Sequence, residues 1–111
     1  MYEKKLSFQE LRHWLKAGIG QPFSIHIVLP RGIVAFLEGP IDAVTRFETG
    51  DSHGLLIEGA SRAWTLELPE PEFLSATLSP IPVGFTTEQL QIRMRDHVVV
   101  IDPADGSDAE T

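Results

Sequence analysis

A repeated motif in the middle of the chain constrains the fold more than any other stretch. The pattern Leu or Ile, Glu, Gly, three residues, then Ala, any residue and Thr begins at residue 37 and again twenty residues later at residue 57. A glycine after a strand supplies a turn conformation that a Cβ would hinder. The offset suits one β-hairpin following another in a meander. We therefore predict two hairpins between Ile33 and Leu68, with tight Glu-Gly turns at residues 38–39 and 58–59.

A single helix is predicted before the first strand. Ser7 and Glu10 have the spacing of a capping box, in which each side chain accepts a hydrogen bond from the backbone N–H of the other residue. Apolar residues then recur at helical spacing, at positions 8, 11, 14 and 15. The pattern predicts a helix over residues 7–17 that lies across the open end or one face of a sheet.

Alternation of apolar and polar residues predicts a β meander over residues 23–101. Thr49–Gly54 is expected to form a polar loop between the two hairpins. Phe73–Leu78 is expected to form a short strand at a sheet edge. The large side chains of Trp14, Trp64 and Phe36 are expected to anchor the core.

The C-terminal part of the meander allows two interpretations at one point. Residues 87–95 fit a helix or a strand, and their period of two favours the strand. Val98–Ile101 is a β-branched run without a charge, which predicts a strand and, if its edge is exposed, a site of self-association. Residues 102–111 lack large apolar side chains and are predicted to be a disordered acidic tail.

One helix followed by six to eight closely spaced strands predicts a single, mainly β domain over residues 1–101, built as a strongly bent antiparallel meander or a small barrel. The stretch Ile25-x-Ile27-x-Leu29-x-x-Gly32, after a capped helix and before a hairpin meander, resembles the opening of Sm-like proteins. The resemblance covers roughly residues 7–78 and implies a bent five-stranded barrel that forms rings and commonly binds RNA. The Met-Asn pair and the later Arg-Gly RNA-contacting motif of that family have no counterpart here.

Composition excludes several kinds of site. The chain has no cysteine, which excludes disulfides, thiolate metal sites and cysteine nucleophiles. It has no glycine-rich phosphate loop, and none of its four histidines forms a metal-ligand pair, so we predict no cofactor and no metal. The net charge of −7 opposes general nucleic-acid binding. Without a signal peptide or membrane span, we predict a soluble, cytoplasmic protein.

Glutamates and a polar tripeptide are the first candidates for chemistry. Glu38 and Glu58 occupy equivalent positions in the repeat, where they would offer an acid pair or a cation site if they converged. Asp51, Ser52 and His53 contain the residue types of a hydrolytic triad. Consecutive loop residues point in different directions, so we interpret Asp51 as a loop former and His53 as a possible ligand contact.

Basic side chains and strand edges are the remaining candidates. Arg93 and Arg95 would share a face of a strand and could contact an acidic partner. The preferred hypothesis is a non-enzymatic interaction or scaffold protein that forms a homo-oligomer through its strand edges. Two alternatives stay open: an Sm-like RNA-binding ring protein, and a small-ligand-binding or hydrolytic barrel that uses His26, His53 or the glutamates.

Overall fold

The helix begins where the capping box predicts. The computed structural model of the chain describes residues 3–80 and 88–103, and its helix α1 spans Phe8–Ala17 with Ser7 as the N-cap. The Glu10 N–H donates to Ser7 Oγ at 3.1 Å, and the Ser7 N–H donates to Glu10 Oε1 at 2.8 Å. Leu11 and Leu15 are fully buried, so the apolar stripe of α1 faces the core.

The reciprocal cap makes the stability of α1 depend on pH. The hydrogen bond from the Ser7 N–H lowers the pKa of Glu10 below its ordinary value of 4.5. A carboxyl whose pKa falls on folding stabilises the folded state above its unfolded pKa, and that contribution is lost as the pH falls through the folded pKa. In the Glu10→Gln variant, the free energy of unfolding is therefore expected to fall less between neutral and acidic pH than it does in the wild type. Ser7→Ala should cost about 1 kcal/mol, because it removes the hydroxyl acceptor.

Urea unfolding followed by circular dichroism over a pH series measures both effects. Glu67→Gln is the control, since it neutralises an exposed carboxylate outside the helix. A Glu10→Gln variant with the acid dependence of the wild type would contradict the role assigned to the cap.

In the described part of the chain, eight strands form one antiparallel sheet in the order β1-β6-β7-β8-β2-β3-β4-β5. They are β1 (Lys4–Leu6), β2 (Pro22–Leu29), β3 (Gly32–Thr49), β4 (Ser52–Gly59), β5 (Thr65–Pro69), β6 (Phe73–Pro80), β7 (Glu88–Met94) and β8 (Val98–Pro103). Short 3₁₀ turns at Ala60–Arg62 and Glu70–Glu72 precede β5 and β6. The mainly β fold with one N-terminal helix is confirmed. Among these strands, β1 and β5 have a neighbour on one side only, so the sheet is open and is not a closed barrel.

Strand β3 replaces the first predicted hairpin. It runs without interruption for 18 residues, pairing with β2 as far as Pro40 and with β4 from Ile41 onwards. Gly39 has a φ of +116°, and the register with β4 shifts just after Ile41. The predicted turn at Glu38-Gly39 is therefore wrong. The glycine lies where a continuous strand changes partner and does not reverse the chain.

The second copy of the motif does end a strand. β4 finishes at Gly59 and β5 begins at Thr65 after the 3₁₀ turn, so the second hairpin is confirmed with a wider turn than predicted. The preceding hairpin is tighter than predicted, because Thr49 pairs with Ser52. Gly50, with a φ of +54°, starts this two-residue turn. The predicted Thr49–Gly54 loop is wrong, since β4 already begins at Ser52.

Strand β8 lies in the middle of the sheet, between β7 and β2. The prediction that Val98–Ile101 offers an exposed edge is wrong, because this backbone is paired on both sides. Phe73–Leu78 is not an edge strand either, because β1, an unpredicted strand, pairs with the outer side of β6. Both errors concern the order of strands in space, which local sequence patterns do not encode.

The C-terminal segments follow the predicted pattern in part. The ambiguous stretch 87–95 contains strand β7, as its period of two indicates. Asp102 and Pro103 extend β8, so the predicted acidic tail does not begin at residue 102. The rest of that tail, residues 104–111, lies outside the described residues.

Inward-facing side chains from the whole width of the sheet and from α1 form one hydrophobic core. Fully buried isoleucines come from five strands: Ile25, Ile41, Ile57, Ile92 and Ile101. The helix adds aromatic contacts, with Phe8 edge-on to Phe73 at a centroid distance of 5.1 Å. Because distant strands share one core, the sheet bends around it. The described part of the chain contains no helix long and apolar enough to cross a membrane.

Candidate functional site

The central strands have a second face that points away from the core. Ile25, Val99 and Ile101 point inward and are fully buried. Successive side chains of a strand point to opposite faces, so the residues between them point outward. The register places His26 beside both Phe36 and Val100, and Val28 beside Val98. We call these five neighbouring outward side chains, which are His26, Val28, Phe36, Val98 and Val100, the outer stripe.

The outer stripe is an apolar patch in contact with solvent. Phe36 is 51% exposed, so the expectation that it anchors the core is wrong. Its ring lies 4.7 Å from the His26 ring, centroid to centroid, with an interplanar angle of 52°. The other four members are half-buried. Contiguous exposed apolar side chains of this kind mark interaction surfaces more often than scattered ones do.

Polar and charged residues border the outer stripe with opposite signs at opposite corners. Arg93 pairs with Val98 at one corner, while Ser24 lies between Glu38 and Asp102 at the other end. Asp102 Oδ1 accepts a hydrogen bond from Gln89 Nε2 at 2.9 Å, which fixes its side chain beside β7. The surface therefore combines an apolar centre with a positive corner and a negative end.

Arg93 and Arg95 do not share a strand face. Strand β7 ends at Met94, so Arg95 lies in the following turn, where its N–H donates to the Glu72 carbonyl oxygen at 2.8 Å. Both arginines line a shallow groove of about 420 Å³ at this end of the sheet, together with Asp96. Leu74, which is 60% exposed, also lines the groove. The prediction that the two arginines share a strand face is therefore wrong, and the groove that they line is mixed in charge.

Glu38 and Glu58 lie on β3 and β4, and the two copies of the repeat meet through a tryptophan. Trp64 Nε1 donates to the Glu38 carbonyl oxygen at 3.4 Å, and its indole covers Gly59 so closely that a Cβ there would come within 2.8 Å of Trp64 Cδ2. Within residues 3–80 and 88–103, neither carboxylate forms a side-chain hydrogen bond or ion pair. The contact between the repeats is structural, made by backbone and indole.

Asp51 and His53 are separated by the tight turn. Asp51 is exposed at the tip of the β3–β4 hairpin, whereas His53 belongs to β4. His53 Nε2 lies 3.1 Å from Glu70 Oε1, and both residues line a cleft between α1 and the β3–β4 hairpin. Glu70 was not singled out by any local pattern. Glu70 reaches this position because Gly54 pairs with Pro69, which brings the residue after β5 beside His53.

The described residues do not contain a group of three or more His, Asp or Glu side chains that could hold a metal ion. Comparison with known proteins does not assign a family to this arrangement. No family model, no curated protein and no solved structure matches the chain.

Proposed function

We propose that this chain is a non-enzymatic interaction protein that self-associates, and that a second copy packs on the outer stripe. The observation that carries the proposal is the half-exposed Phe36 on β3, which pairs with His26 of β2. Large aromatic side chains at the centre of a surface patch supply most of the energy of many protein interfaces. A β-sheet presents them without the entropic cost of ordering a loop.

Charge supports a second copy of the same chain as the partner. Arg93 and Glu38 lie at opposite corners of the outer stripe. A two-fold axis along the other diagonal brings the arginine of each copy against the glutamate of the other. In such an isologous arrangement, the two arginine–glutamate pairs across the interface form together. The arrangement also crosses the strands of the two sheets at a large angle, which is an established form of sheet packing.

Edge pairing is the weaker route to association. Strand β1 has three residues, and β5 has five and carries the exposed Glu67 and a terminal proline. The Gly32–Pro40 half of β3 pairs on the β2 side alone, but it also ends in a proline, and Trp64 Nε1 donates to its Glu38 carbonyl oxygen. Short edges with charges and prolines are the features by which proteins prevent edge-to-edge pairing. We therefore assign self-association to the face of the sheet and not to its edges.

Phe36→Glu is expected to weaken self-association by roughly tenfold or more, because it replaces the most exposed aromatic side chain of the outer stripe with a charge. Sedimentation equilibrium over a concentration series measures the dissociation constant. Ile19→Glu is the matched control, since Ile19 is 42% exposed and lies outside the outer stripe. Circular dichroism should show both variants folded. A wild-type chain that stays monomeric at the highest concentration would overturn the proposal.

A charge reversal tests the orientation. Arg93→Glu and Glu38→Arg should each weaken the dimer, and the double variant should recover part of the loss, because the cross-copy pair is re-formed with its signs exchanged. Two single variants that dimerise as the wild type does would contradict the two-fold arrangement.

A further inference from the structure

A polar cleft lies beside α1, and none of its lining residues belongs to the outer stripe. The cleft has a volume of about 260 Å³ and lies between α1, β3 and β4. Arg12 comes from the helix, Arg46 from β3, and Glu70 follows β5, so three segments that are distant in sequence meet there. Val44, two residues before Arg46, is buried in the core, which places Arg46 on the side of β3 that faces α1.

The two arginines have no acidic partner among the described residues. In residues 3–80 and 88–103, the Glu70 carboxylate contacts His53 Nε2, and neither guanidinium lies within 4.0 Å of a carboxylate oxygen. Arg12 Nε is shielded from solvent and finds no hydrogen-bond acceptor in the part of the chain that the structure describes. A buried donor without an acceptor costs free energy. In a chain with sixteen acidic residues against nine basic ones, two unpaired arginines facing one cleft form a local exception to the overall charge.

We propose that this cleft binds a small oxyanion, either a carboxylate or a phosphate, through the guanidinium groups of Arg12 and Arg46. A guanidinium presents several N–H donors in a planar fork that matches the paired oxygens of both groups. The bound oxygen would supply the acceptor that Arg12 Nε lacks. Phe8 and Leu55 form an apolar part of the lining, which favours an anion with a small apolar body. Glu70, held by His53, is the acidic part of the wall and disfavours a second negative charge.

The site is independent of self-association, so it can be tested on the full chain carrying Phe36→Glu. Titration of the ¹⁵N-labelled protein with inorganic phosphate, benzoate and neutral benzamide follows the Nε–H signal of Arg12 directly. We expect phosphate or benzoate to shift this signal in a saturable way and benzamide to leave it unchanged. Saturation by phosphate alone assigns a phosphate ligand, and saturation by benzoate alone assigns a carboxylate. No saturable shift with either anion, or an equal shift with benzamide, would overturn the proposal.

Substitutions separate binding from folding. Arg46→Gln changes an exposed side chain and is expected to raise the dissociation constant about tenfold or more, because a charge-assisted hydrogen bond is lost. Arg12→Gln should do the same, with thermal unfolding as its check for an intact fold. Arg31→Gln, an exposed arginine in the β2–β3 turn, is the matched control and should bind as the wild type does.

Removing the Glu70 carboxylate is expected to change the dissociation constant in the opposite direction. Glu70→Gln is expected to lower the dissociation constant by about threefold, because it removes the repulsion between the cleft wall and the anion. A residue with a merely structural role would not tighten binding when replaced. Arginine variants that bind as Arg31→Gln does, or a Glu70→Gln variant that binds more weakly, would contradict the assignment.

Discussion

Gly54→Ala is expected to lower the free energy of unfolding by about 3 kcal/mol or more. A Cβ at Gly54 would collide with the carbonyl oxygen of Leu68 and come within 2.8 Å of Pro69 Cα and 2.9 Å of the Glu70 nitrogen. These are backbone atoms of β5 and of the residue that follows it, and they cannot move aside as the end of a flexible side chain can. The substitution should therefore force β4 and β5 apart where Gly54 pairs with Pro69.

Denaturant unfolding of Gly54→Ala, monitored by circular dichroism and by tryptophan fluorescence, measures the effect. Gly50→Asn is the matched control, because Gly50 has open space around it and a φ of +54°, a conformation that asparagine tolerates better than most residues. It should remain close to the wild type. A Gly54→Ala variant as stable as Gly50→Asn would contradict the close approach of β4 and β5.

Val99→Lys is expected to destabilise the protein by about 4 kcal/mol, which is most of the stability of a typical small domain. Val99 is fully buried and lies on β8, with paired strands on both sides. The ammonium group would have no acceptor among the apolar side chains that surround the position, and the apolar contacts of the valine would be lost as well. The variant should be largely unfolded at ordinary temperature.

Val100→Lys, one residue later, is the control and a second measurement. Val100 is half-buried on the outer stripe, so its lysine reaches solvent, and the fold should stay intact with a change of about 1 kcal/mol or less. Self-association should nevertheless be lost, because a charge then lies in the proposed interface. Equal stability of the Val99 and Val100 variants would contradict the central position of β8 and the assignment of its two faces.

Local patterns predicted the elements whose causes are local. The capping box of Ser7 and Glu10 places the start of α1 correctly, since both partners lie within one helical turn. Alternation placed β2 and β7 as strands, because the period of two follows from burial of one face. Pro69 and Pro71 coincide with the end of β5 and with the 3₁₀ turn after it, since proline lacks the backbone donor that a strand ladder uses.

Local sequence patterns do not predict which segments become neighbours in the folded sheet. The Glu-Gly pair occurs once inside β3 and once at the end of β4. The same dipeptide therefore accompanies a change of partner in one place and a chain reversal in the other. Strand β1, with three residues, is too short to produce a pattern. The cleft is lined by Arg12, Arg46 and Glu70, which come from three segments of the chain. Packing of the core and pairing of the strands bring these segments together, and no sequence motif predicts that.

The pairing of β2 with β8 has a consequence for the order in which the protein is made. β2 to β5 are neighbours along the chain and in the sheet, and so are β6 to β8, whereas the joint between β2 and β8 connects residues 23–28 with residues 98–103. A ribosome delivers β8 after every other described strand, and until then one side of β2 has no hydrogen-bonding partner. The middle of the finished sheet is thus the last part of it to be completed, and the unpaired side of β2 is the surface that a nascent chain must keep from its neighbours.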